Sequence, residues 1–290
     1  MAMEALRVVL AMLVAAMVAA RGLAHKSLSP SGAITGFIVL SLTMSAGARL
    51  GALILAFYYS SSKLTKYKAE EKRNVDEESK EGGQRDWSQV LANSLVATVL
   101  SIFVAYFTSW QDKCLDTKRN PVATGLLGGI LGYYACCTGD TWSSELGVLS
   151  KSQPRLITTL QVVPRGTNGG VSLLGLLAAA SGGAFIGLTF FLMGMLTAEC
   201  ESQIRSEQWK AVPLGGIAGL LGSLMDSLLG ATAQYSGHCV VRKKIVGKPG
   251  PTVRRISGFD ILSNNAVNAI SASLTSLTAA ATCLYLFREL

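Results

Sequence analysis

Charged residues are scarce in this chain. Asp, Glu, Lys and Arg make up 15% of its 290 residues, against about one quarter in soluble domains. There are only two histidines, His25 and His238, and the six cysteines (Cys114, Cys136, Cys137, Cys200, Cys239 and Cys283) include no CxxC pair. The spacing of a structural zinc site is therefore missing, and a cysteine in an apolar run is most simply a small hydrophobe. There is no HExxH motif and no hydrolase elbow. No GK[ST] follows a glycine-rich turn, which excludes a Walker A loop. No basic region is interleaved with aromatics, so no nucleic-acid partner is expected. Apolar stretches run continuously instead of alternating over ten-residue segments, which argues against a membrane β-barrel. An apolar run starts almost at once, at Leu6, in place of an Arg- and Ser-rich, acid-poor leader. A plastid or mitochondrial transit peptide is accordingly not expected.

Hydrophobic residues make up 50% of the chain and the mean hydropathy is +0.39. The expectation is an all-α, multi-span integral membrane protein, a single membrane domain over residues 1–290 with about six to seven transmembrane helices. Spans fall at roughly 5–24, 31–59, 88–109, 121–138, 171–198, 211–231 and 260–287. The second is too long for one straight crossing, about 45 Å at 1.5 Å per residue. Gly47-Ala48-Arg49-Leu50-Gly51 marks an expected break, tilt or re-entrant turn in it. The loops 60–87, 139–170 and 232–259 hold seven, three and six Lys/Arg, against three and two in 110–120 and 199–210. The positive-inside rule makes the first three cytoplasmic and, with seven crossings, places the N-terminus inside. If 31–59 crosses twice, only the N-terminal end changes side. Loop 60–87 also carries seven acids, the composition of a solvated helix or linker. Its first basics, Lys63, Lys66 and Lys68, stand at a span end, where they anchor the helix or meet head groups or phosphate.

One polar island stands out, Gly139-Asp140-Thr141-Trp142-Ser143-Ser144-Glu145-Leu146-Gly147, assigned to the loop after the fourth span. Acids suit a divalent metal such as Mg²⁺, which takes one or two carboxylates plus substrate phosphates. Asp140 and Glu145 would point about 140° apart on one regular helix, so joint coordination requires a kinked or looped backbone. The competing role is a helix cap. Arg155 and Arg165 present forks suited to phosphate, or serve as interfacial charge. Gly166, Thr167, Asn168, Gly169 and Gly170 form a turn leading into a span, a place where backbone N–H groups meet anions, or a simple capped turn. Asp226 lies within a span, where a carboxylate is costly and marks function. Asp260, Asn264 and Asn268 recur every four residues, which puts them on one helix face as substrate wall or interhelical glue. His238 is treated as structural.

The motifs Gly139 to Gly147, Pro154-Arg155-Leu156-Ile157-Thr158, Gly166-Thr167-Asn168-Gly169-Gly170-Val171-Ser172 and Asp226-Ser227 resemble the transmembrane protein 19 family. The resemblance spans nearly the whole chain, from Ser29-Pro30-Ser31-Gly32 to Asn264-Asn265. That family includes plastid phytyl-phosphate kinases and a plant regulator of glucose response. The resemblance implies transfer of a nucleotide γ-phosphate, from CTP or ATP, to phytyl or another isoprenyl phosphate held in the lipid bilayer. On that basis Asp140 and Glu145 are assigned to Mg²⁺, and Arg155, Arg165 and the Gly166–Gly170 turn to phosphates. Asp226 and the Asp260, Asn264, Asn268 face would orient metal or acceptor. The competing class is a non-catalytic transporter or regulator of sugar-responsive growth. A plasma membrane or endoplasmic reticulum location, rather than a plastid one, is the expectation from the leader.

Overall fold

The computed structural model describes residues 2–73 and 83–288. The chain is an α-helical bundle, the architecture expected of a multi-span membrane protein. Five helices are long and apolar enough to cross a membrane: α1 (Ala2–Ala24), α7 (Pro121–Gly147), α8 (Leu173–Thr197), α10 (Ala211–Ala233, entered through α9, Ser202–Glu207, and a 3-10 turn) and α11 (Asn264–Leu286). Two shorter apolar helices, α2 (Pro30–Ala46) and α6 (Leu95–Phe107), join them, together with α3 (Ala48–Lys66), α4 (Ala69–Arg73) and α5 (Trp87–Ala92).

The long second span breaks at Gly47, whose extended backbone separates α2 from α3. Gly51 packs on Met44 near the tip, while Ser27, just before α2, hydrogen-bonds to Tyr58 late in α3 at 2.7 Å. The two helices thus run antiparallel. Arg7 of α1 donates to the Trp110 carbonyl at 3.1 Å, and Lys66 donates to the His25 carbonyl at 2.8 Å. The start of α1 therefore lies on the face opposite the three basic loops, as follows when 31–59 passes twice. Asp76, Glu77, Glu78, Lys80 and Glu81 of the charged loop lie outside the described residues.

Helix α7 is the spine. Every residue from Leu127 to Gly139 is buried, because α3, α6, α8, α10 and α11 all pack on it. Lipid tails are as apolar as leucine, so helices in a membrane gain from close van der Waals approach, and small residues permit it. Gly139 shows the effect: a Cβ there would stand 2.8 Å from the Ala179 carbonyl of α8 and 2.8 Å from the Gly219 backbone of α10.

The island expected to begin a loop at residue 139 is instead the continuation of α7, which stays helical to Gly147. A hydropathy boundary marks where apolar residues stop, not where i→i−4 hydrogen bonds stop. Thr141 returns its hydroxyl to the Cys137 carbonyl at 2.8 Å, which lets a polar residue continue the helix. Beyond the helix, a two-stranded ladder, β1 (Arg155–Leu156) with β2 (Gly170–Val171), fills the α7–α8 connection. A three-stranded antiparallel sheet fills the α10–α11 connection: β3 (Ser236–Cys239), β4 (Lys244–Val246) and β5 (Val253–Ser257), in order β4-β3-β5. Ser172 and Ser263 cap α8 and α11 by accepting from Gly175 N–H and Ala266 N–H.

On the opposite face Cys114 and Cys200 form a disulfide, with Cα atoms 5.9 Å apart. Nearby Arg49, buried at the start of α3, pairs with Asp112 and lies 4.3 Å above the Phe190 ring. Disulfides persist in oxidising compartments, so this face is expected to be non-cytoplasmic, in agreement with the loop charges. In sealed vesicles, the Cys114→Ser variant should expose Cys200 to an impermeant maleimide from that side only. Labelling from the side of the basic loops would reverse the orientation.

Candidate functional site

Three helices converge on Asp140. The Gly139 contact holds α7 against α10, and Ser223 of α10 donates to Asp140 Oδ1 at 3.2 Å. One helical turn along α10, Asp226 Oδ2 accepts from Ser271 of α11 at 3.1 Å. With its amide nitrogen turned toward these acceptors, Asn268 donates to Asp226 Oδ2 at 3.2 Å and to the Asn264 carbonyl at 3.0 Å. Asn264 also accepts from Gln234 at 3.4 Å. Asp140 and Asp226 are close enough to repel each other, both are partly buried, and neither makes an ion pair with any described residue.

The depth of this cluster is uniform. Asp140 stands seven residues before the end of α7, Asp226 seven before the end of α10, and Ser271 seven after the start of α11. At 1.5 Å per residue all three lie about 10 Å beneath the helix ends on the basic face. The cluster therefore sits toward one end of the bundle and not at its centre.

Glu145 is elsewhere. Five helical residues separate it from Asp140 in direction, so it faces α4, where Lys72 donates to its Oε2 at 2.6 Å. Lys72 also donates to the Leu64 carbonyl at 2.7 Å, capping the end of α3. Arg85, bonded to Ser62 Oγ at 2.7 Å, lies in the field of Glu145. Burial, the largest influence, pulls the Arg85 guanidinium below its ordinary value, and Tyr58 and Glu145 oppose that shift. Trp142 completes this wall with a 3.3 Å bond to Ser60. The structure thus brings Asp140 toward Asp226 and turns Glu145, expected to join it, toward Lys72, because the helix does not unwind.

The other expected phosphate groups are dispersed around the loops. Arg155 donates to the Leu160 carbonyl at 2.8 Å and Arg165 to the Lys151 carbonyl at 3.1 Å. Arg165 Nε is buried without a partner. The Gly166–Gly170 turn closes on itself through Gly170 N–H to the Thr167 carbonyl, and Asn168 N–H binds Ser236 at 2.9 Å. Gly169 has φ of +78°, and a Cβ there would lie 2.6 Å from the Ser227 carbonyl, so glycine is required for the turn to seat on α10. The following helix N-terminus is occupied by its own Ser172 cap. Asp260 is exposed and precedes α11, off the Asn264–Asn268 face. Ser223 and Ser271 were not singled out from the sequence, since a serine in an apolar helix carries no signal of its own. Only their fourfold spacing from Gly219 and Val267 on inward faces points to them.

Among the described residues no group of three or more His, Cys, Asp or Glu could hold a metal. The groups that do converge are two carboxylates and two hydroxyls, all hard oxygen groups, with the Asn268 amide nitrogen bound to one carboxylate. They fit Mg²⁺, which keeps several waters and shares its shell with substrate phosphates.

The sequence matches, over residues 13–276, the family described as integral membrane protein DUF92. It is 54% identical over 281 residues to Protein PGR of Arabidopsis thaliana, covering 97% of this chain and 98% of that protein. An uncharacterized membrane protein of Methanocaldococcus jannaschii is 32% identical over 207 residues, 70% of this chain and 72% of its own. Protein VTE6, chloroplastic, of Arabidopsis thaliana is 26% identical over 253 residues, 87% of this chain and 64% of its own. No solved structure matches the chain.

The Lys72–Glu145 pair has side chains only 8% and 18% exposed, so removing one partner strands the other charge. Glu145→Gln is expected to cost about 1–3 kcal/mol, read as a lower Tm in detergent. The double variant Glu145→Gln with Lys72→Met should recover most of that loss. An unchanged Tm in Glu145→Gln would show the pair to be incidental.

Proposed function

The chain belongs to the integral membrane protein DUF92 family, and from that premise we propose that it transfers the γ-phosphoryl group of CTP or ATP to an isoprenyl monophosphate such as phytyl phosphate. The observation that carries this reading is the Asp140–Asp226 pair, two carboxylates held within repulsive reach and left without a basic partner among the described residues. The cost of such an arrangement is recovered when a divalent cation sits between acids and phosphates. Asp140 and Asp226 would hold Mg²⁺, and the ion would supply charge neutralisation on the transferring phosphoryl. Ser223, Ser271 and Asn268 fix the carboxylate rotamers through the hydrogen bonds described above.

The transfer itself asks mainly for positioning and electrostatics. A terminal oxygen of the lipid monophosphate attacks the γ-phosphorus, the bond to the β-phosphate oxygen breaks, and an isoprenyl diphosphate and a nucleoside diphosphate result. The apolar tail must remain in lipid. A shallow groove of about 390 Å³ on the outside of α8 and α10, lined by Ala180, Ala184, Gly216, Ile217 and Leu220 among others, offers a place for it. Gly216, Leu220 and Ser223 follow the i, i+4, i+7 stripe of one α10 face, so a tail in this groove leads to the Asp140 partner. Arg155 and Arg165 each use one of five donors on a carbonyl. Arg165, with its buried unpartnered Nε, gains most from a phosphate oxygen.

A transport reading would draw on the same carboxylates, since such proteins bind near the bilayer midplane, and the transfer assay below separates the two. A role in glucose response rests on the family resemblance. The chloroplastic label in the name of one relative puts a plastid membrane beside the plasma membrane and endoplasmic reticulum as the place to look for this protein.

Purified protein in lipid nanodiscs, given Mg²⁺, γ-labelled CTP or ATP and a series of isoprenyl monophosphates, should form labelled diphosphate. Asp140→Asn and Asp226→Asn should each lower kcat by about 100-fold or more. Full activity in either variant, or no transfer from any pair by a folded preparation, would reject the assignment.

A further inference from the structure

Outside the spans, on the basic face, six large apolar side chains project from the two connections that carry strands. Leu160, Val162, Val240, Val241, Phe259 and Ile261 are each 58–72% exposed. They occur among cations. The segment 232–261 has six Lys/Arg against one acid, Asp260, with Lys243, Lys248, Arg254 and Arg255 exposed. Apolar patches of this kind on a soluble surface mark an interaction site. Interleaved with cations, they match the chemistry of a layer that is apolar on one side and anionic on the other.

Position argues for the same partner. Phe259 N–H and Ile261 N–H bond to the Thr232 and Ala233 carbonyls at 3.0 and 3.1 Å, which ties both side chains to the last turn of α10. They therefore lie at the helix end, where the hydrocarbon gives way to a headgroup layer roughly 5–8 Å thick. The Arg255 guanidinium stacks 4.3 Å above the Phe259 ring, so cation and aromatic travel together. Leu160 occupies the left-handed region at φ of +57°, a conformation a leucine adopts at a cost of order 1 kcal/mol. Arg155 bonds to its carbonyl and Leu160 N–H to the Leu156 carbonyl at 2.7 Å. The turn thus holds an apolar side chain outward against its local preference.

We propose that the β1–β2 and β3–β5 connections form an interfacial surface that lies in the headgroup layer and selects anionic phospholipid. The apolar tips enter the acyl boundary and Lys243, Lys248, Arg254 and Arg255 take the phosphates. This is independent of the kinase reading. It concerns the bilayer around the protein and not the reacting lipid.

Leu160→Trp and Val241→Trp variants of the full chain, in phosphatidylcholine vesicles with and without phosphatidylglycerol, test it. The added fluorescence should be quenched by lipid brominated near the top of the acyl chain and shielded from aqueous iodide. In native mass spectrometry the preference for phosphatidylglycerol over phosphatidylcholine should fall on the order of 10-fold or more in Lys243→Gln/Arg254→Gln/Arg255→Gln. Quenching of both probes by iodide and not by bromolipid, or an unchanged lipid preference in the triple variant, overturns the proposal. Loss of nucleotide binding in the triple variant with lipid preference intact assigns these cations to a soluble polyphosphate and overturns it equally.

Discussion

The backbone contact between Gly139 of α7 and the Ala179 and Gly219 backbones of α8 and α10 is the constraint on which the site depends. A side chain at that point would push the helices apart. Asp140 is the next residue, and Ser223 is one turn from Gly219, so separation would carry Asp140 away from its hydrogen-bond donor and from Asp226. The same close approach recurs along α7, where Gly128 meets Cys283 and Gly132 meets the Thr275 backbone of α11. The spine thus fixes α10 and α11 together, and with them the carboxylate of one and the serine and asparagines of the other.

Buried charge is treated in two ways in this bundle. Arg49 is matched by Asp112 and the Phe190 ring, and Lys72 is matched by Glu145 and the end of α3. These pairs close the two ends of α3 against the rest of the fold. Asp140 and Asp226 receive hydroxyl and amide donors but no cation among the described residues. That this protein neutralises its other deep charges and leaves two acids together supports the proposal of a counter-ion that arrives from outside. That contrast, more than the presence of acids as such, separates the candidate site from the structural pairs.

Periodicity carried most of what could be read in advance. The continuous apolar runs located the helices, the glycine interruption located the break at Gly47, and the spacing of Asn264 and Asn268 placed them on one face of α11. Helix ends were less legible. Hydropathy put the end of the fourth span at 138, nine residues early, and so left Glu145 free to turn toward Asp140. On the helix that actually forms it cannot do so. Asp260 failed for the complementary reason: α11 starts at Asn264, so the fourfold spacing has no helix under its first member. Partners remote in sequence were not legible at all. Cys114 and Cys200 are 86 residues apart, and no spacing rule reaches that far. Arg155 and Arg165 each reach one carbonyl that only the folded loops bring near.

The central claim is that Asp140 pairs with Asp226, and not with Glu145, to receive a divalent ion. Electron paramagnetic resonance of Mn²⁺ titrated into the purified protein with a non-hydrolysable nucleotide tests it most directly. Binding that persists in Glu145→Gln and is lost in Asp226→Asn is the result the account predicts. Binding that persists in Asp226→Asn and is lost in Glu145→Gln would contradict it.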